Sequence, residues 1–258
     1  MLDQISVFVL TYNEQANIAR VLAPLAGFAR VIVLDSGSSD QTEAEVRRCG
    51  FAEWHQRGFD NHANQCNFVL DTLAICTPWV LSLDADYVLS TELVGELKSL
   101  RPSAELSGMD CEFVFCIDGQ PLRGSLYPPR TVLFRTDRAR FYQAGHTQRL
   151  QLDGPVQRLR GKILHDDRKP WAYFRANQRK YGRLEARHLY QTPFSVLGLT
   201  AKVRKLGLIA PWLVPLLCLF WTGLVLEGRA GWKYTRMRWI GEGEIAKELW
   251  RLRLGWAL

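Results

Sequence analysis

Three short apolar runs constrain this chain more than any other feature. Residues 5–10, 30–34 and 79–83 are apolar, mostly β-branched or aromatic, and of strand length. Each stops at a polar cluster: Thr11-Tyr12-Asn13-Glu14, Asp35-Ser36-Gly37-Ser38-Ser39-Asp40 and Asp84-Ala85-Asp86. Helical patterns follow over 17–28, 41–49, 62–73 and 91–100. Strand–helix alternation of this kind predicts an α/β domain with a mostly parallel, doubly wound sheet. Ligands bind such sheets at the carboxyl ends of the strands. The three polar clusters are therefore expected along one edge.

Asp84 and Asp86 carry the sharpest chemical signal. Hard divalent cations take oxygen ligands, and magnesium is commonly held by one or two carboxylates plus substrate phosphates. Two carboxylates one residue apart at a strand end fit a metal–diphosphate complex.

Charge is unevenly spread. Residues 1–119 hold 7 of the 33 Lys and Arg but 17 of the 26 Asp and Glu. The remainder is strongly basic, which suits phosphates or an anionic membrane surface. Nucleic acid is excluded as a partner: there is no RNA-recognition signature or zinc-finger spacing, and the basic residues flank an apolar segment. The six cysteines form no CxxC pair or regular framework, which suits a reducing compartment and offers no nucleophile. The N-terminus has no basic and apolar leader pattern, so the cytoplasm is expected.

From 111 to 164 the pattern is mixed, with strands expected over 112–117, 131–135 and 149–152 and turns at Asp118-Gly119 and Asp153-Gly154. A long basic helix follows over 171–190. Residues 206–226 are almost wholly apolar, interrupted by Pro211 and Pro215. Lys202, Arg204 and Lys205 precede this segment, and Arg229, Lys233, Arg236 and Arg238 follow it. Basic flanks on both sides fit a segment that dips into the cytoplasmic leaflet and returns. The tail places Ile245, Leu249, Leu252 and Trp256 on one helical face.

The runs around Thr11-Tyr12-Asn13-Glu14, Asp35-Ser36-Gly37-Ser38-Ser39-Asp40 and Leu83-Asp84-Ala85-Asp86 resemble family-2 glycosyltransferases of the GT-A fold. The bacterial subgroup that builds lipopolysaccharide cores, O-antigens and exopolysaccharides is the nearest match. The likeness extends through Tyr127-Pro128, Leu133-Phe134-Arg135, Gly145-His146 and the 223–239 segment. It implies a Rossmann-like sheet flanked by helices over 1–195, with a nucleotide-sugar half (1–110) and an acceptor half (111–195). A membrane-associated helical appendage over 196–258 completes the expected organisation.

The same resemblance implies that Thr11, Tyr12 and Glu14 line a nucleotide pocket. Asp35 would contact base or ribose, with Ser36 beside it, and Asp84 the sugar or ribose side. Asp86 would bind Mg2+ or Mn2+, and Asn67 would be a polar pocket residue. The implied donor is a nucleoside-diphosphate sugar, most often a UDP-sugar. The implied acceptor is a lipid-linked glycan at the cytoplasmic face of the inner membrane.

An inverting member needs a general base. Where the subgroup has His-Glu, this chain has His146-Thr147. Either His146, Asp166 or Asp167 takes the role, or the acceptor is already an anion, such as a polyprenyl phosphate. In the second case Arg168 and Lys169 would hold the acceptor phosphate.

Overall fold

The computed structural model of the chain describes residues 1–144 and 147–256. Strand and helix alternate through β1 (Ile5–Thr11), α1 (Ile18–Leu22), β2 (Arg30–Asp35), α2 (Thr42–Cys49), β3 (Ala52–Gln56), α3 (His62–Thr72), β4 (Trp79–Asp84), β5 (Tyr87–Leu89) and α4 (Thr91–Ser99). A strand-rich stretch follows: β6 (Gly108–Ile117), β7 (Gln120–Pro121), β8 (Arg130–Arg135), β9 (Ala139–Ala144), β10 (Thr147–Leu152) and β11 (Val156–His165). Four helices close the chain: α5 (Trp171–Gln191), α6 (Leu199–Leu206), α7 (Ala210–Leu216) and α8 (Gly228–Arg253).

The main sheet has the order β3-β2-β1-β4-β8-β6-β11-β5. Strands β3, β2, β1 and β4 are mutually parallel, with Val7 paired to both Val31 and Leu81. The chain moves outward from β1 to β3 and returns to β4 on the other side of β1. That reversal is a topological switch point, the place where open α/β sheets leave a ligand crevice. Strand β8 is antiparallel to both β4 and β6, β11 is parallel to β6, and β5 is antiparallel to β11. So β1, β2, β4 and β11 all end at one edge, while β8 and β5 begin there.

Both faces of the parallel strands are covered, as their unbroken apolar character requires. Alternate side chains point to opposite faces. Val7, Val9, Val31, Val33, Leu81 and Leu83 pack with Ile18, Val21, Leu22, Leu93 and Leu97 of α1 and α4. Phe8, Ile32, Leu34, Val80 and Phe134 pack with Ala63, Cys66 and Val69 of α3 and with Phe141.

The structure shortens one expected helix and adds five strands. The helix expected over 17–28 ends at Leu22 and tightens into a 3-10 turn over Ala23–Leu25, because Pro24 has no N–H to donate. Strands β3, β5, β7, β9 and β11 escape hydrophobic periodicity: β3 is a polar edge, β5 and β7 have three and two residues, β9 buries Phe141 alone, and β11 carries charges at alternate positions.

The chain forms two compact units, one ending at Arg168 and a second holding Leu122–Leu126 and the chain from Lys169 onward. The long basic helix α5 belongs with the tail because its buried face, with Ala186 and Leu189, packs with Leu197 and with Leu249 of α8. Within this second unit Glu242 is buried and accepts hydrogen bonds from Arg204 Nε and Nη2, at 2.8 and 2.6 Å, and from Arg238 Nη2 at 3.1 Å. Among the described residues no single helix is long and apolar enough to cross a membrane; Ala210–Trp221 and Leu224–Arg253 pass that test together but bend by 75° at their junction.

Strand β11 brings its terminal residues to the site edge through a bulge. Its register with β6 shifts between Arg158 and Lys162. The amides of Arg160 and Gly161 leave the ladder there and donate instead to the Glu96 carboxylate of α4, at 2.8 to 3.1 Å. A Cβ on Gly161 would lie 2.3 Å from Leu93 Cα, so the close approach of β11 to α4 requires glycine. Gly161→Ala is therefore expected to lower stability by about 2–4 kcal/mol and Glu96→Gln by about 1–2 kcal/mol. Urea unfolding of both variants checks this; wild-type midpoints would contradict the packing of β11 on α4.

Candidate active site

The loops after β1 and β2 are sewn together by short polar side chains. Asp35 has no exposed surface. Its Oδ2 accepts from the Gly37 and Ser38 amides, at 2.8 and 2.7 Å, and from Gln56 Nε2 at 3.2 Å; Ser38 Oγ donates to Oδ1. Gly37 sits at φ +95°, a conformation that favours glycine. Asn13, itself at φ 54°, donates its amide to Ser38 Oγ at 2.7 Å and accepts from the Ser39 amide at 2.8 Å. The Glu14 amide donates to Thr42 Oγ1 at 2.8 Å. Asp35 thus organises this loop pair with its whole carboxylate, and Ser36 Oγ accepts from Gln65 Nε2 at 3.0 Å. Tyr12 projects from the same loop with about half of its surface exposed.

Asp84 ends β4, and Ala85-Asp86 make the turn into β5. The Asp84 carboxylate is half-buried and accepts no hydrogen bond from the described residues. Asp86 Oδ2 lies 3.2 Å from His165 Nε2, and the Asp86 carbonyl accepts from the Asp166 amide at 3.0 Å. Burial works against the imidazolium of His165, yet the carboxylates of Asp86, Asp84 and Asp167 outweigh it and raise its pKa above the ordinary histidine value. Around this pair lies an aromatic box. Tyr87, Phe115 and Tyr127 have ring centroids 4.6 to 5.1 Å from the His165 ring, and the hydroxyls of Tyr87 and Tyr127 hydrogen-bond each other. Burial, with the Asp84 charge adding to it, pushes the Tyr127 phenol up to about 12, so it keeps its proton at neutral pH.

Asn17, 1% exposed, joins β1's loop to the end of β11. Its Nδ2 donates to Glu14 Oε2 at 2.7 Å and to Asp167 Oδ1 at 2.9 Å. Its Oδ1 accepts from Arg20 Nη2 at 2.7 Å and the Arg168 amide at 2.9 Å. Asp166 is buried between two guanidiniums: Arg20 Nη1 at 2.6 Å, and Arg168 Nε and Nη2 at 3.0 and 2.8 Å. The Arg168 guanidinium lies over Gly119, where a Cβ would come within 2.7 Å of Nη2.

Of the residues read from sequence, the structure brings Thr11, Glu14, Asp84, Asp86, Asp166, Asp167 and Arg168 together at this edge, with Tyr12, Asp35 and Ser36 in the adjoining loop pair. Several depart from their expected roles. Asn67 clamps the Phe141 backbone with both ends of its amide, at 2.9 and 3.0 Å, instead of reaching this edge. Asp166 is 4% exposed; both arginines hold its Oδ2, and its Oδ1 is buried without a hydrogen-bond partner. Arg168 neutralises Asp166 instead of presenting a bare cation. Lys169 falls in the second unit, with Nζ 4.7 Å from the centroid of the Tyr173 ring. His146 lies outside the described residues. Sequence reasoning misses Asn17, Arg20, Tyr87, Arg130 and His165; the i, i+3 pair Asn17 and Arg20 carries the only available signal, a polar stripe at the start of α1.

The residues present fit a divalent cation bound together with a substrate. Among the described residues no three His, Cys, Asp or Glu side chains form a cage. Two carboxylates at a strand end do suit a hard ion whose remaining ligands are phosphate and water oxygens. Thr11 Oγ1 and His165 Nδ1 are also buried at this edge without a hydrogen-bond partner.

The two aspartates after β11 are expected to separate on mutation. Asp166→Ala removes the shared partner of Arg20 and Arg168 and is expected to cost about 2–4 kcal/mol in urea unfolding. Asp167→Ala, which loses the hydrogen bond from Asn17, is expected to cost about 1 kcal/mol. Equal losses would overturn the assignment of Asp166 as the structural member of the pair.

The family model described as Glycosyl transferase family 2 matches residues 6–146. An uncharacterized glycosyltransferase of Rickettsia felis is 35% identical over 103 residues, which are 40% of this chain and 35% of that protein. The lipopolysaccharide core biosynthesis glycosyltransferase LpsC of Rhizobium meliloti is 32% identical over 111 residues, 40% of each chain. The chain thus spans about two fifths or less of the length of these curated relatives. Among solved structures, Staphylococcus aureus TarS 1–349 with UDP-GlcNAc covers 98% of this chain, and this chain 92% of it, at 16% identity and TM-score 0.49. Glucosyl-3-phosphoglycerate synthase of Mycobacterium tuberculosis, with Mn2+, UDP and phosphoglyceric acid, aligns over 72% of this chain and 78% of its own at 17% identity and TM-score 0.44. With the model matching more than half of its length, the chain belongs to glycosyl transferase family 2.

Proposed function

We propose that this chain transfers a sugar, with inversion, from a uridine-diphosphate sugar to a hydroxyl of a lipid-linked glycan during bacterial envelope polysaccharide synthesis. The observation that carries the reading is the pair Asp84 and Asp86 at the β1/β4 switch point, beside the loops that follow β1 and β2. In the reaction the bond from the anomeric carbon to the diphosphate oxygen breaks. The acceptor oxygen forms the new glycosidic bond and loses its proton. Asp86 and Asp84 would hold a magnesium or manganese ion, which would supply Lewis-acid stabilisation to the departing diphosphate. Thr11, Tyr12 and Glu14 border the nucleoside, and Asp35 and Ser36 set the shape of that border.

Asp167 is the carboxylate best suited to take the acceptor proton. It stands at the exit of β11 beside Asp86 and His165, and Asn17 orients it through one oxygen. The relative named for lipopolysaccharide core biosynthesis supports an envelope glycan as acceptor. A second reading, transfer to a polyprenyl phosphate without a base, is favoured by one observation: Thr147 follows His146 where the resembling subgroup has glutamate.

The second unit supports work at the cytoplasmic membrane surface. Trp212, Phe220, Trp221 and Leu226 are 69 to 85% exposed, within a stretch flanked by Lys202, Lys205, Arg229 and Arg236. Exposed aromatic and aliphatic side chains beside basic residues suit insertion into the headgroup boundary of an anionic leaflet.

Radiolabelled UDP-, GDP- and dTDP-sugars, incubated with bacterial lipid extract and Mg2+ or Mn2+, test the activity. Label is expected in the organic phase from a UDP-sugar, and at least about a hundredfold less with Asp86→Ala. Stability to mild acid is expected of a glycoside; an acid-labile product would select the polyprenyl-phosphate reading. Co-sedimentation with phosphatidylglycerol vesicles tests the surface. Replacing both Trp221 and Leu226 by Glu is expected to weaken binding about a hundredfold or more, given the apolar area withdrawn. Undiminished binding by that variant would refute the membrane reading.

A further inference from the structure

Arg130 is a cation at the site edge without an anion of its own. It is the first residue of β8, and β8 runs antiparallel to β4, so it stands at the edge where β4 delivers Asp84. Its Cζ lies 5.1 Å from the centroid of the Tyr127 ring. Tyr127 in turn touches Tyr87 and His165, and His165 touches Asp86. The Arg130 charge is thus within electrostatic reach of Asp84 and Asp86. Yet among the described residues no carboxylate pairs with it and no acceptor takes any of its N–H groups.

The neighbouring arginines behave differently. Arg20 and Arg168 both close on Asp166. A guanidinium offers five donors in a planar fork, and a partly buried one leaves that capacity unused at a cost. Stacking on Tyr127 holds Arg130 near the two aspartates without letting it collapse onto them. Its donors therefore remain available to a third group, and the fork matches two oxygens of a phosphate.

We propose that Arg130 is a phosphate-binding residue, taking two oxygens of one phosphate group beside the Asp84-Ala85-Asp86 turn. This rests on the reading of that turn as the diphosphate end of the donor site. The phosphate belongs to the donor diphosphate or to a phosphorylated acceptor, and the chemistry at Arg130 is the same.

Phenylglyoxal labelling of the full chain, mapped by peptide mass spectrometry, tests the proposal without requiring turnover. Arg101, which is exposed, serves as the internal reference. Magnesium pyrophosphate is expected to slow labelling of Arg130 about tenfold or more while leaving Arg101 unchanged. Protection by pyrophosphate and UDP but not by glycerol phosphate assigns the donor. Protection by glycerol phosphate alone assigns the acceptor.

Calorimetry on Arg130→Gln and Arg130→Lys supplies the second measurement. Arg130→Gln is expected to weaken UDP or glycerol phosphate about ten- to a hundredfold, with uridine affinity unchanged and Arg130→Lys partly restored. Phosphate affinities equal to wild type in Arg130→Gln, or Arg130 labelling that no phosphate slows, would overturn it. Absence of UDP binding by the wild type, with pyrophosphate protection intact, would instead fault the choice of donor.

Discussion

Asp166 is a buried carboxylate held by two guanidiniums, and the shape of the site edge depends on it. Its side chain fixes Arg20 of α1 and Arg168 after β11, while its amide holds the Asp86 carbonyl. Three segments far apart in sequence are thereby registered against each other: the start of α1, the turn after β4 and the exit of β11. A buried ion pair of this kind contributes little net stability over an apolar replacement, but losing one partner is costly. Its effect is on geometry. Asn17 performs the same service one layer nearer the nucleotide loop, sharing its amide between Glu14 and Asp167.

Strand polarity explains which residues can meet at that edge. The parallel strands β1, β2, β4 and β11 contribute their last residues: Thr11, Asp35, Asp84 and His165. The antiparallel strands β8 and β5 contribute their first: Arg130 and Tyr87. A wholly parallel sheet would offer only loop-following groups. Reversing two strands places a cation and a phenol among the carboxylates, directly on the rigid sheet. The aromatic box of Tyr87, Phe113, Phe115, Tyr127 and His165 then keeps these groups apart at defined spacing, because ring packing fixes centroid distances near 5 Å.

The parts legible in sequence are those governed by local rules. Continuous apolar runs mark β1, β2 and β4, and helical patterns mark the helices between them. The same runs expose the three polar clusters, because a buried strand must end before it can carry charge. Residues whose meaning depends on distant partners are not legible. Nothing near Asp166 announces Arg20, 146 positions away. Asn67 has the pattern of a pocket amide, but its partner is the backbone of a strand that periodicity does not reveal, since Phe141 is the one buried residue of β9. The helix α5 reads as an extension of the transferase domain because its basic face dominates its composition; the small buried stripe of Gly182, Ala186 and Leu189 sets its packing.

The uneven charge of the chain also takes a physical meaning from the structure. The acidic first half concentrates carboxylates at a strand edge where a divalent ion and a diphosphate would compensate one another. In the second unit, carboxylates that survive among many basic residues are drawn inside. Glu242 and Glu248 are each 3% exposed, and each is matched by two arginines: Arg204 and Arg238 for the first, Arg183 and Arg251 for the second. Pairing them internally removes negative charge from the surface of that unit, where Trp212, Phe220 and Trp221 are exposed. An anionic bilayer would meet little repulsion there, and its attraction would fall with salt, as expected of charges that remain solvated. The apolar contribution of Trp221 and Leu226 would persist at high salt, so the two components of binding can be separated by ionic strength alone.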